Sequence, residues 1–254
     1  MKTLIILLSL FSLSCSQQAA SPELPVDSVT QDGTQLNDTL KQQQPVESIS
    51  NGPYGFFRTM LPCKDCKGIE HTVMFNRNKT VRIEEVHPGK NTSSNTRGSW
   101  KESDGIFTVV HQNTEARYSW KDDSLTYLHP SGVAYTLQQL PAASDNQAWR
   151  NKGKEGLEFY GVGNEPFWNI KIDEERSIAF HQADWSKALT FQQVKRTQFK
   201  DSIVYTAGIE PSLLRAVIYP RFCSDGMSDF IYSHQVRILY DNIVFNGCGI
   251  SYRY

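Results

Sequence analysis

The chain has 254 residues, 26 Lys and Arg against 27 Asp and Glu, and a net charge of -1. That length is enough for two small domains. The scattered, balanced charge excludes the basic footprint of a nucleic-acid binder.

In chain order, Met1 and Lys2 form a short positive end, and Leu4 to Leu13 an apolar run broken only by Ser9 and Ser12. The run is too short for a mature membrane span and reads as a secretory signal peptide over residues 1–14. "SLSC", ending at Cys15, resembles the lipobox of bacterial lipoproteins. The resemblance implies cleavage before Cys15 and acylation of that residue, palmitate included. Several acyl chains anchor a protein to membrane lipid without any transmembrane helix. Ser16 follows Cys15 where an Asp commonly signals inner-membrane retention, so the resemblance implies the outer membrane. "SQQAAS" lacks the acidic residues of surface-exported relatives, which favours the periplasmic face. Residues 15–52 are rich in Gln, Ser, Asp, Thr and Pro with isolated apolar residues. Such a segment cannot bury enough surface to offset its ordering entropy and reads as a flexible linker.

From Tyr54 onward short alternating segments take over: "IEHTVMF" (69–75), "TVRIEEV" (80–86), "IFTVV" (106–110), "ARYSW" (116–120), "LTYL" (125–128) and "VAYTLQQL" (133–140). Each reads as a strand. The turn-rich links between them suit antiparallel hairpins, and closure into a barrel hides the edges. "PAASDNQAWRNKGKEG" (141–156) is polar and holds a domain boundary, giving a first domain over 53–141 and a second over 155–254. The second set is again β-rich; between Trp185 and Lys200 the spacing of Leu189, Gln192, Gln193 and Arg196 is compatible with a short helix, while the β-branched residues there equally suit strand. The fold class is therefore all-β, two small antiparallel barrels in tandem.

Of five cysteines, Cys15 carries lipid and Cys223 and Cys248 share the second domain. In an oxidising envelope these two are expected to pair, contributing about 3–4 kcal/mol. Cys63 and Cys66 form a Cys-x-x-Cys pair followed by Gly68 and a strand, without the βαβ context of a thioredoxin-like site. Two readings stay open for it: a disulfide closing a tight loop, or a pair of soft ligands for copper(I), with Met60, His71 and Met74 near in sequence. Zinc would lack ligands in this domain.

"YGFFRTMLPCKDCKGIEHTVMF" closely resembles the opening of the NlpE N-terminal domain, through Leu61-Pro62, both cysteines, Gly68 and Ile69. The resemblance implies a lipocalin-like barrel on an outer-membrane lipoprotein tied to copper tolerance and envelope-stress or surface sensing, with an envelope sensor protein as partner. It places that function on the lipid anchor and the cysteine loop, here Cys15, Cys63 and Cys66. In the second domain "GVGNEPFWNI", "CSDGMSDFIY" and "GCG" resemble META-like β domains of bacterial envelope lipoproteins. There Glu165, Asp225 and Asp229 could converge on a cation or saccharide and Trp168 and Tyr232 offer stacking faces. The competing reading makes Asn164, Pro166 and Gly226 turn formers and Trp168 a core residue.

"SGVAY" (131–135) is similar to the Ser-Gly-x-x-Tyr pattern of lipoprotein inhibitors of C-type lysozyme, the rival function alongside saccharide binding. Catalysis is not expected. Gly-x-Ser-x-Gly and His-Glu-x-x-His are missing, and the histidines are scattered.

Overall fold

The computed structural model describes residues 52–90, 92–111, 114–174 and 176–253. The expected signal peptide, Cys15 and all but the last residue of the expected linker lie outside the described residues.

The first domain is an up-and-down barrel of eight antiparallel strands among the described residues: β1 (Gly55–Leu61), β2 (Ile69–Phe75), β3 (Thr80–His87), β4 (Thr92–Ser103), β5 (Ile106–His111), β6 (Thr114–Lys121), β7 (Ser124–Leu128) and β8 (Ala134–Leu140). Closure comes from β1 against β8, with Phe56 opposite Leu140 and Arg58 opposite Gln138. Period-two alternation sends Phe57, Val73, Phe75, Phe107, Val109, Tyr118 and Leu125 inward, where they fill the barrel. Tight turns need residues that tolerate positive φ, and Asp122 and Asp123 supply it at the β6–β7 turn (φ 51° and 56°). The ladder puts the 62–68 loop, the β3–β4 link and the β7–β8 link at one rim, and the 76–79 turn at the other.

Two strands exceed the sequence reading. β1 carries alternation but was hidden beside the cysteine motif, and β4 is a run of Thr, Ser and Asn in which Trp100 is the buried residue. β4 forms because β3 and β5 both pair with it; its own side chains would not hold it.

Between the domains the polar segment folds further than expected. A 3-10 turn (Ala143–Asp145) leads to α1 (Gln147–Lys154), capped by Asn146, whose side chain accepts the Ala148 N–H at 2.9 Å. Trp149 anchors α1 edge-on to Tyr160 and Tyr232.

The second domain is a nine-stranded curled sheet built from β9 (Phe159–Asn164), β10 (Phe167–Asp173), β11 (Ser177–Gln182), β12 (Leu189–Gln192), β13 (Lys195–Gln198), β14 (Ile203–Ala207), β15 (Leu214–Tyr219), β18 (His234–Tyr240) and β19 (Ile243–Ser251). The order is β12-β11-β10-β9-β19-β18-β15-β14-β13, so its two ends are the sequence neighbours β12 and β13. A separate short pair, β16 (Cys223–Ser224) and β17 (Ile231–Tyr232), flanks it. After Trp185 strand prevails over the helical alternative: Leu189 and Gln192 lie on β12 and Arg196 on β13. Gln193 sits at φ 58°, which no helix tolerates, and Thr190, Phe191, Val194 and Thr197 favour strand. No described helix is long and apolar enough to cross a membrane.

Candidate functional site

Leu61 closes β1 inside the core and Ile69 opens β2, so the intervening residues must reverse over the rim. Gly68, at φ 143°, makes that reversal where a side chain would be strained. A Cβ there would also come within 2.7 Å of Met60 Cε, so Met60 lies along the loop. Cys63 and Cys66 are half-buried on it and joined by an S–S bond of 2.04 Å.

The residue that sequence reasoning missed is His87. It ends β3 at the same rim, half-buried, and its ring nitrogen and the two sulfurs all lie within 4.8 Å of one another. Nothing in the spacing announces this, because 20 residues lie between Cys66 and His87. Strand pairing alone, β1 with β2 and β2 with β3, brings them together.

His71 and Met74 require correction as neighbours of the pair. His71 lies on the inward face of β2 at 1% exposure. A carboxylate only accepts, so Nδ1 donates to Glu85 Oε1 (3.0 Å), while Nε2 is hydrogen-bonded to the Tyr118 hydroxyl (2.9 Å). The ring stacks on Tyr127, with centroids 4.8 Å apart. The His71 hydrogen bond holds the Glu85 carboxyl below its usual range, and burial pushes the Tyr118 hydroxyl well above its own. His71 therefore plugs the barrel. Met74 points outward at the opposite end of β2 and packs near Phe56 and Phe222.

The residues proposed for the second domain do not form one cluster. Trp168 is 3% exposed and packs against Phe180 and Phe245, a core residue. Asp225 turns back on its own loop, accepting the Ser228 N–H at 2.8 Å and the Tyr232 hydroxyl at 2.8 Å. Tyr232 is itself buried, so it offers no stacking face. Glu165 and Asp229 are exposed, and Asn164 donates to the Asp225 carbonyl at 2.7 Å, tying the β9–β10 turn to that loop. Cys223 and Cys248 are bonded (S–S 1.96 Å), fastening β16 to β19. Ser131, at the exposed β7–β8 tip, is within 2.7 Å of His129 Nδ1, and Tyr135 lies edge-on to His129.

A closed, side-chain-filled barrel of eight antiparallel strands with a disulfide-bonded loop at its rim is a lipocalin-like fold. Residues 57–154 match the family model of the NlpE N-terminal domain, a stretch that holds most of the first barrel and the helix after it. Among solved structures, that of the Cpx pathway activator NlpE from Escherichia coli is similar at 15% identity and a TM-score of 0.29, covering 66% of this chain and 86% of that one. Comparison with curated proteins returns no match.

Proposed function

We propose that the protein is an envelope lipoprotein, anchored through acylated Cys15, whose Cys63–Cys66 loop acts without catalysis as a thiol and soft-metal sensor for a partner envelope protein. The observation that supports this most is the approach of His87 to both sulfurs within 4.8 Å. As a disulfide the pair donates nothing. Two electrons and two protons from a thiol reductant open it to two thiols. Deprotonated, these join the His87 imidazole as an S₂N donor set. Soft thiolates in such low number suit copper(I) and leave zinc(II), which wants four ligands, one short. The loop is half-buried and at a rim, so both reductant and metal reach it.

Chromophoric competition on reduced protein tests the reading. Wild type should take one copper(I), Cys63→Ser/Cys66→Ser should lose it, and oxidised protein should take none. His87→Ala should weaken binding by about tenfold or more, since even outer-shell losses cost that much. Copper(I) bound no better by reduced wild type than by the double serine variant would remove the proposal. The anchor is checked separately: Cys15→Ala should free a folded protein from washed membranes, and continued sedimentation with them would refute acylation.

A further inference from the structure

The barrel interior, where closed barrels of this size can hold a small ligand, is filled here by Phe57, Phe75, Tyr118 and Leu125. A different void remains. Between the outer face of β3 and the β15–β18 region lies a cleft of about 540 Å³, within the roughly 300–1,000 Å³ of small-molecule sites. Its apolar floor comes from Phe56, Met74 and Ile231. Its polar side is cationic: Arg77, Arg82 and Arg97 line it with His234, and no acidic side chain does among the described residues.

The cationic character is built into the ladder. Arg82 and Arg97 stand directly opposite across β3 and β4, a like-charge pairing that destabilises a sheet unless an anion offsets it. Glu84, on the same face of β3, accepts the Phe222 N–H at 2.7 Å and offsets Arg82, but it does not line the cleft where Arg77 and Arg97 do. Arg82 donates to the Ser233 carbonyl and lies over the Phe222 ring; Arg77 lies over the Tyr54 ring at 4.4 Å, but it and Arg97 are both exposed and can present guanidinium N–H groups to a ligand. His234 is held neutral by burial and by the Arg82 and Arg97 charges, so the positive charge of the cleft comes from its arginines.

We propose that this cleft binds a single-chain amphiphile with an anionic head, the chain on Phe56, Met74 and Ile231 and the carboxylate or phosphate between Arg77 and Arg97. The site stands at the rim opposite the cysteine loop and does not depend on it. The test is fluorescence titration of the whole soluble chain with 11-(dansylamino)undecanoate. Saturable binding should be displaced by dodecanoate or dodecyl phosphate, and whichever displaces better identifies the head group. Dodecyl maltoside, with an uncharged head, and inorganic phosphate, with no chain, should fail to displace it. Arg77→Ala/Arg97→Ala should weaken the probe about tenfold or more with an unchanged melting curve, Met74→Gln should weaken it too, and Cys63→Ser/Cys66→Ser should bind like wild type. No saturable binding, equal displacement by the maltoside, an unaffected double arginine variant, or loss of binding in the cysteine variant would each overturn the assignment.

Discussion

His234 begins β18 at 5% exposure, with Ser233 Oγ 2.9 Å from Nδ1 and the Phe159 ring edge-on beside it. Burial first, then the charges of Arg82 and Arg97, push its pKa down to about 3. The unfolded chain therefore takes up a proton near pH 6.5 that the folded protein refuses until about pH 3. Stability from this residue is fully present above pH 6.5 and is lost as pH falls through that window, by up to about 1.4 kcal/mol per pH unit. His234→Gln should flatten the acid limb of a urea-denaturation series between pH 6.5 and pH 4. An unchanged slope would assign the acid loss to other groups. The same residue-scale logic separates the histidines of the first barrel. His71 is locked between Glu85 and Tyr118, whereas half-buried His87 faces the sulfurs.

At the scale of elements, the glycines of "GVGNEPFW" and "GCG" explain why those motifs stand out. β9 pairs with β19, and Trp168 lies over the seam. A Cβ on Gly163 would fall 2.2 Å from Trp168 Nε1, and one on Gly247 would fall 2.0 Å from the Val162 carbonyl oxygen and 2.6 Å from the indole. Neither neighbour can yield, since one is ladder backbone and the other a ring wedged against Phe180 and Phe245. Gly163→Ala and Gly247→Ala should each destabilise the second domain by about 1–3 kcal/mol, the usual cost of overpacking, and alter the near-ultraviolet dichroism of Trp168. Wild-type stability in both would mean that the indole has room to move. These glycines thus make a packing motif, and Asp225 shapes its own loop.

Across the whole molecule, the segment between β15 and β18 is the contact between the barrels. The Phe222 N–H donates to Glu84, Arg82 donates to the Ser233 carbonyl, and Phe222 packs edge-on to Phe56. The Cys223–Cys248 bond fastens the same segment to β19, so the contact is braced from the second domain. Burial pushes the Glu84 carboxyl above its usual range, against the pull of the Phe222 N–H and of Arg82. Glu84→Ala leaves the Phe222 amide without its acceptor and Arg82 without its nearest anion, a loss of about 1–3 kcal/mol for the orphaned donor alone. Calorimetry should show the variant melting as two separated transitions. A single transition at the wild-type temperature would show that the apolar contacts suffice.

The sequence by itself determined the all-β class, most strands of the first barrel, and the NlpE-type opening, because period-two alternation and turn chemistry are local properties that neighbouring residues settle between themselves. It also singled out the two cysteine pairs as the chemistry to watch. It could not supply β4, whose Thr and Ser residues become a strand only between β3 and β5, nor α1, which one Trp holds against two distant Tyr rings. Above all, only the tertiary structure turned His71 into the core, brought His87 to the sulfurs, and set Arg82 opposite Arg97. These placements depend on register and closure, which are decided by partners far along the chain, where local sequence carries no signal.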